Sequence, residues 1–222
     1  MKKCFLLTRP DHDLITKYLF YWSRLVIKEA KNVGFKVLDI RGKKATRKNF
    51  LTYLKKYQPQ LILFNGHGAD DLVTGYENEI LVEAGKNEEV LSGTIVYSRS
   101  CESAKALGPA AVKKGTTAFL GYKKDYFLCY SQLSVRQPLK DKVASLFLGP
   151  SNLIPTCLLK GKLVKESFAE SQRKMKRNLL FMISDKSSLA QKDAAPYLFA
   201  NIKTRWLWAI NKLERLWFKS DI

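Results

Sequence analysis

Short apolar runs alternate with longer amphipathic stretches along the first part of the chain. The runs, which are typical of buried strands, are residues 3–8, 35–40 and 61–64. Between them lie two stretches with apolar side chains at helical spacing: residues 13–33, which Gly34 ends, and residues 46–57, which Thr46 caps. This strand–helix–strand–helix–strand order predicts an α/β fold, a mostly parallel sheet flanked by helices with right-handed crossovers.

The remainder of the chain continues this pattern and then becomes helical. Two apolar patches within residues 71–92, separated by residues 75–78, predict a hairpin laid across the edge of the sheet. Strands are predicted at residues 94–97 and 116–120, on either side of a small-residue helix at 103–114. Three more helices are predicted over residues 138–148, 163–183 and 201–218.

Length and composition favour one main domain. The chain has 222 residues, of which 46% are hydrophobic, enough for one buried core but few for two full domains. We expect the domain over residues 1–185, with a helical extension over 186–222 docked on it. Charged residues at 9–13 interrupt the apolar start before a signal peptide would be complete, and no stretch is apolar for long enough to cross a bilayer. A cytoplasmic protein with reduced thiols is therefore expected.

Positive charge is concentrated towards the two ends of the sequence. The formal net charge is +19; residues 1–66 carry 15 basic and 4 acidic side chains, and residues 136–222 carry 17 and 7. Such flanks could attract nucleic acid, an acidic partner protein or an anionic membrane. The lysines are scattered through helical patterns rather than massed with aromatic residues, so we do not expect nucleic-acid binding. The tryptophan-rich helix 201–218 could contact a membrane, or its apolar stripe could dock on the parent domain.

Two reactive side chains follow neighbouring strand-like runs. His67 comes just after residues 61–64, and Cys101 comes just after residues 94–97. Because neighbouring parallel strands end at the same edge of a sheet, these side chains can meet there. A thiol and an imidazole at such an edge suggest a cysteine nucleophile with a histidine proton carrier. The alternative is that both are ordinary buried residues of an open sheet.

No metal or other cofactor is expected from the sequence. The other three cysteines lack paired CxxC spacing, and the chain has only two histidines, which is poor material for a zinc site.

The sequence around these two residues resembles the catalytic blocks of caspase-like cysteine peptidases of clan CD. The matching residues are Gly66-His67-Gly68 and Ser100-Cys101-Glu102-Ser103, followed by Gly121-Tyr122 and the segment 161–174. The resemblance is nearest to the gingipain, clostripain and CHAT branch, because the Gln-Ala-Cys-Arg-Gly block of animal caspases is absent. It implies a caspase-like three-layer sandwich and a cysteine endopeptidase that cleaves a protein or peptide substrate.

The chemistry of peptide cleavage, together with the resemblance, suggests a role for each residue. Cys101 would attack as a thiolate stabilised by the N-terminus of the following helix. Nearby Arg99 could lower the pKa of the thiol further or could point into solvent. His67 would accept a proton or protonate the leaving amine. The backbone N–H groups of Gly68 and Cys101 would form the oxyanion hole.

The residue preference is expected to depend on a carboxylate. Basic-specific members of the family have one in the pocket for the residue that precedes the scissile bond. Here Asp11 and Asp13 follow the first strand and Asp125 follows the fifth, which, with the acidic segment 68–100, favours cleavage after Arg or Lys. Alternatively, Asp13 is a helix N-cap, Asp11 a turn residue and the acidic segment a solvated surface. Some relatives bind calcium, but no EF-hand spacing supports calcium here.

A second class of function is a caspase-like binding or signalling module whose activity is lost or depends on a regulatory partner protein. The presence of both His67 and Cys101 favours the enzyme. The sequence gives no independent indication of the oligomeric state.

Overall fold

A six-stranded sheet forms the centre of the computed structural model, which describes residues 3–209. The strands are β1 (Cys4–Arg9), β2 (Lys36–Arg41), β3 (Leu61–Phe64), β4 (Leu72–Thr74), β5 (Ile80–Glu83), β6 (Ile95–Ser98), β7 (Ala118–Tyr122) and β8 (Arg205–Ala209). The helices are α1 (Leu14–Asn32), α2 (Arg47–Tyr57), α3 (Leu107–Lys113), α4 (Lys142–Leu159), α5 (Val164–Met182) and α6 (Leu189–Thr204). The sheet order is β2-β1-β3-β6-β7-β8; within this sheet the β7–β8 pair is antiparallel and the other described pairs are parallel. Strands β4 and β5 form a separate antiparallel hairpin.

Each face of the sheet has its own hydrophobic core because successive side chains of a strand point to opposite faces. In β1, Phe5 and Leu7 belong to one core and Leu6 to the other. The first core also contains side chains of α1, α4, α5 and α6, and the second contains side chains of α2, α3 and the β4–β5 hairpin. The predicted α/β arrangement, a mostly parallel sheet between two layers, is confirmed.

Most of the predicted elements are present with shifts of one or two residues at their ends. Thr46 caps α2 as expected, its hydroxyl accepting a hydrogen bond from the backbone N–H of Asn49. Two helices differ in extent. α3 begins only at Leu107, because the preceding residues form turns and the N–H groups of Ala106 and Leu107 donate to the carbonyl of Asp70. α4 is longer than predicted and continues through two prolines, since burial on both sides of this helix outweighs their two missing donors.

The predicted helix over residues 201–218 is wrong for residues 205–209. α6 ends at Thr204, and the next five residues form β8, which pairs with β7. This pairing completes the sheet, and the indole N–H of Trp208 donates to the carbonyl of Ala104 at 2.7 Å. Contacts with a distant strand therefore override the helical spacing of the apolar residues. Residues 210–218 of that prediction lie outside the described residues.

Among residues 3–209, no helix combines the length and the apolar character needed to span a bilayer.

Candidate active site

His67 and Cys101 lie at the carboxyl ends of two adjacent strands. β3 and β6 pair in parallel with Phe64 opposite Ser98, so each reactive residue comes three positions after the last residue of its strand. A hydrogen bond joins the two loops, because the hydroxyl of Ser100 donates to the carbonyl of Gly66 at 2.9 Å. The sequence-based prediction that the two residues meet at one sheet edge agrees with this register.

Both residues line one cavity of about 240 Å³. Its other lining residues are Ile15, Gly66, Arg99, Ser100, Tyr126, Phe127 and Leu128. Asn201 in α6 fixes the 126–128 wall, accepting from the backbone N–H of Phe127 at 2.9 Å and donating to its carbonyl at 2.7 Å. Three larger cavities lie away from both reactive residues: one of about 650 Å³ beside α2, one of about 710 Å³ between α5, α6 and β8, and one of about 420 Å³ at the start of α5.

The imidazole of His67 is held by Asp13. The Nε2 atom of His67 lies 2.6 Å from Oδ2 of Asp13, which leaves Nδ1 free to act as a proton acceptor. The other carboxylate oxygen, Oδ1, accepts from the backbone N–H of Thr16 at 2.8 Å and so caps α1. Burial alone would raise the pKa of Asp13, but hydrogen bonds from Thr16 and His67 outweigh it and lower the pKa below its usual value. Asp13 is therefore a stable carboxylate with two simultaneous partners.

The β4–β5 hairpin fixes the backbone at His67. Thr74 donates to the carbonyl of His67 from its backbone N–H at 2.9 Å and from its hydroxyl at 3.1 Å. A Cβ atom at Gly66 would lie 2.0 Å from the carbonyl oxygen of Thr74, so only glycine fits there. The hairpin predicted across the sheet edge thus positions the histidine loop.

The thiol of Cys101 is partly buried, and its surroundings disfavour the thiolate. Burial raises the pKa of Cys101, and the carboxylates of Asp125 and Glu102 raise it further. The backbone N–H of Tyr126 donates to Sγ at 3.4 Å and acts in the opposite direction. Glu102 adopts a left-handed φ of 52°, which turns the chain sharply after the thiol and is strained for a residue with a Cβ atom.

Neither expected source of thiolate stabilisation, a helix N-terminus or Arg99, is a leading influence on Cys101. Cys101 does not begin a helix, because the first residue of α3, Leu107, comes six positions later, after a bend and turns. Arg99 does not point into solvent, since it is 1% exposed, and the leading influences on the pKa of Cys101 are burial, Tyr126, Asp125 and Glu102.

Arg99 instead links three elements beneath the site. Its guanidinium donates to Oδ1 of Asn65 at 2.7 Å, to Oδ1 of Asn152 at 2.8 Å and to the hydroxyl of Ser23 at 2.7 Å. Asn65 in turn donates to the carbonyl of Thr8 at 2.7 Å. Burial lowers the pKa of Arg99, and its hydrogen bonds satisfy the donors. The side chain thus fixes the ends of β1 and β3 relative to α1 and α4.

The two backbone groups proposed for an oxyanion hole lie close together. A Cβ atom at Gly68 would be 2.8 Å from Cβ of Ser100 and 3.0 Å from the carbonyl oxygen of Cys101, so glycine permits this close approach. Neither the N–H of Gly68 nor that of Cys101 donates a hydrogen bond to another residue within 3–209. Both donors are available to an external acceptor.

The three candidate specificity carboxylates have different environments. Asp13 is occupied by Thr16 and His67. The exposed Asp11 lies against Gly42, on the loop after β2. The exposed Asp125 is near Cys101, and it alone of the three affects the thiol.

Part of the acidic segment 68–100 has local partners. Asp70 lies near Lys105, Glu79 accepts from the backbone N–H of Arg47, and Glu83 pairs with Lys86.

The contact between Asp13 and His67 was not predicted from the sequence. The sequence suggests Asp13 as a helix cap or as a specificity residue, and it is indeed the N-cap of α1. A signal for the contact does exist: Asp13 follows β1, His67 follows β3, and these strands are neighbours in the sheet. That adjacency cannot be read from chain order alone.

The solved structures that share this fold include cysteine proteinases. The Arg-specific cysteine proteinase gingipain R matches 93% of this chain with a TM-score of 0.58 and 8% identity, and the match covers 46% of that protein. The complex of pro- and mature domains of RgpB from Porphyromonas gingivalis matches 93% of the chain with a TM-score of 0.55 and 9% identity, over 47% of its length. An inactive zymogen C11 protease from Parabacteroides distasonis matches 83% of the chain and 66% of its own length with a TM-score of 0.40 and 10% identity.

The chain spans just under half the length of the gingipain structures that it matches. No protein-family model and no curated protein sequence matches it. The structural similarity confirms the expected caspase-like α/β fold, and it shows the fold alone.

Proposed function

We propose that this protein is a cysteine endopeptidase of the gingipain, clostripain and CHAT branch, acting through His67 and Cys101. The observation that carries the proposal is the pairing of His67 with Asp13 beside a cavity that Cys101 also lines. A nucleophile, a base and a residue that orients the base are the parts that covalent acyl transfer requires.

The proposed reaction begins with a neutral thiol, because the raised pKa of Cys101 disfavours the thiolate in the free protein. Nδ1 of His67 accepts the proton as Sγ attacks the scissile carbonyl carbon, and Asp13 stabilises the resulting imidazolium. The N–H groups of Gly68 and Cys101 bind the developing oxyanion. His67 then protonates the leaving amine, and water hydrolyses the thioester.

The proposed preference for Arg or Lys rests on Asp125. Asp13 is committed to His67, whereas Asp125 is exposed and lies near the thiol. A basic substrate side chain paired with Asp125 would also neutralise one of the charges that oppose formation of the thiolate. Binding of the preferred residue would thus favour the nucleophile.

The test of catalysis combines active-site labelling with turnover. Wild type is incubated with an arginyl chloromethyl ketone and with an arginyl-coumarin peptide, beside Cys101→Ala, His67→Ala and the matched thiol control Cys129→Ala. We expect wild type and Cys129→Ala to be labelled at Cys101 and to cleave, and the other two variants to be inactive. Turnover that survives Cys101→Ala would refute the proposed nucleophile.

The test of specificity compares arginyl, leucyl and aspartyl substrates in Asp125→Asn, with Asp11→Asn as the matched control. We expect Asp125→Asn to lower kcat/KM for the arginyl substrate selectively. An unchanged preference in Asp125→Asn would refute its role while leaving the nucleophile intact.

The raised pKa of the Cys101 thiol also favours a second candidate, a caspase-like module whose activity is lost or depends on a regulatory partner. A panel covering all residue types at the cleavage position distinguishes the two, because the module alone gives neither turnover nor labelling.

A further inference from the structure

The two histidines of the chain converge on a single carboxylate. Nε2 of His12 lies 3.4 Å from Oδ2 of Asp13, and Nε2 of His67 lies 2.6 Å from the same oxygen. The ligand atoms that His12, Asp13 and His67 offer all lie within 4.8 Å of one another. Chain order gives little sign of this cluster, because 54 positions separate Asp13 from His67.

His12 is largely buried, and its 3.4 Å contact with Asp13 is not a hydrogen bond. Its side chain is 11% exposed, and neither ring nitrogen has a hydrogen-bond partner among the described residues. The ring packs edge-on against His67 and Tyr76, with centroid distances of 5.9 and 5.4 Å. A buried polar group without a partner carries a free-energy cost of about 1–3 kcal/mol, so its retention calls for an explanation. A ligand bound through Nε2 would provide the missing interaction.

We propose that His12, Asp13 and His67 form a binding site for a divalent transition metal, with Zn²⁺ as the best match. Two imidazole nitrogens and one carboxylate oxygen suit Zn²⁺, with water as the fourth ligand. Ligands at about 2.0–2.1 Å in a tetrahedron are about 3.4 Å apart, which is the separation between His12 Nε2 and Asp13 Oδ2. The distance between Asp13 Oδ2 and His67 Nε2, now 2.6 Å, must increase by about 0.8 Å. Small rotations of the two side chains can supply this change, because Asp13 is 36% and His67 40% exposed.

The other oxygen of Asp13 strengthens the case for a built site. Oδ1 is held by the backbone N–H and the hydroxyl of Thr16, at 2.8 and 3.0 Å, which orients Oδ2 towards both histidines. Groups that hold a ligating carboxylate in this way raise metal affinity because they remove the cost of ordering it.

Metal binding here inhibits catalysis, a consequence that rests on the proposed function. With Nε2 donating to Asp13, Nδ1 of His67 is unprotonated and can accept the proton of Cys101. A metal bound to Nε2 requires the neutral imidazole to carry its proton on Nδ1. His67 then cannot act as the base, so the metal switches the tautomer and stops the first step.

The binding experiment uses Cys101→Ala without a histidine tag, so that neither the thiol nor a tag contributes ligands. Zn²⁺ is titrated calorimetrically and by NMR of the ring protons of the two histidines, and Co²⁺ is titrated by visible absorption. We expect one equivalent of Zn²⁺ to shift the signals of both rings and Co²⁺ to give the intense bands of a tetrahedral complex. In His12→Gln on the same background, the affinity for Zn²⁺ should fall at least about tenfold. Loss of a group that only supports a metal ligand already costs about that much, and His12 is proposed as a ligand itself.

Three results would overturn the site. They are Zn²⁺ binding that does not shift the NMR signals of His12, an affinity for Zn²⁺ that is unchanged in His12→Gln, and no binding of Zn²⁺ at all. The NMR titration needs no variant of the three ligands, so it decides even if His12→Gln does not fold. The metal-binding result does not depend on whether the protein is a peptidase, because the titration uses Cys101→Ala, which has no nucleophile. If turnover is found, His12→Gln with Cys101 present should resist Zn²⁺ more than wild type does, with the rate of each protein expressed relative to its own rate without metal.

Discussion

Replacing Asp13 by asparagine or by alanine separates the two roles of this side chain. Its Oδ1 atom caps α1, and its Oδ2 atom holds His67. Asparagine is as good an N-cap as aspartate but carries no charge, whereas alanine can perform neither role. The pair of variants therefore distinguishes loss of the helix cap from loss of the histidine partner.

The expected stability changes follow from the exposure of these groups. Loss of the cap in Asp13→Ala costs about 1 kcal/mol of unfolding free energy. The pair of Asp13 with His67 adds at most about 1 kcal/mol, since the two side chains are 36% and 40% exposed and solvent screens the interaction. Asp13→Ala should therefore lose about 1–2 kcal/mol, and Asp13→Asn about 1 kcal/mol or less. At about 2–4 °C per kcal/mol for a chain of this size, the alanine variant melts about 2–8 °C lower.

The loss of turnover in the two Asp13 variants should not parallel their loss of unfolding free energy. Both variants leave His67 without its carboxylate, so turnover of the arginyl-coumarin peptide should fall about 10²- to 10⁴-fold in each. The assays are thermal and urea unfolding together with steady-state kinetics on folded protein. Turnover of Asp13→Asn within a few-fold of wild type would refute the role of Asp13 in catalysis, and equal melting temperatures of the two variants would refute the helix-cap argument.

The pH dependence of stability provides a separate check. Because the pKa of Asp13 is lowered on folding from its usual 3.8, its contribution to the unfolding free energy is present above that pH. The contribution is lost as the pH falls through the lower pKa of the folded protein. Asp13→Asn should thus lose less stability than wild type on acidification below about pH 4, measured by urea unfolding across the acid range.

Four further variants extend these tests, with Gly34→Ala as the control away from the site. Asp125→Asn should lower the pKa of Cys101 and speed its alkylation by iodoacetamide at neutral pH, and a rate profile against pH that does not move would contradict the electrostatic assignment. Gly68→Ala should cut turnover about a hundredfold because its Cβ atom displaces the adjoining loop. Gly34→Ala, where φ is +82° in open space, should cost about 1–2 kcal/mol of stability without reducing the activity of the folded protein. Arg99→Met should destabilise by about 3 kcal/mol or more in urea unfolding, since three buried oxygens lose their donor, and a change below about 1 kcal/mol would contradict its linking role.

The elements of the fold were largely predictable from local patterns. The apolar run 61–64 became β3 without a shift, and the caps of α1 and α2 lie at Asp13 and Thr46. Such features depend on residues within a few positions of one another, whose preferences are written in the sequence itself. The exceptions are α6, most of which precedes the helix predicted from residue 201, and β8, where pairing with β7 replaced the helix that apolar spacing had favoured.

The position of His67 and Cys101 was likewise accessible from the sequence, because parallel strands end at a common edge and both residues follow strands. The surroundings of these two side chains were not. Arg99 is only two positions from Cys101, yet it turns into the interior to meet Asn65, Asn152 and Ser23.

The sequence by itself determined which side chains could carry the chemistry and at which edge of the sheet they would lie. Only the tertiary structure decided their surroundings: Asp13 holds His67, and Asp125 is among the leading influences on the thiol. The physical reason is the distance along the chain over which each kind of interaction acts. Periodicity and capping act between near neighbours in the chain, whereas proton transfer, charge and metal ligation depend on distances of a few ångströms between residues tens of positions apart.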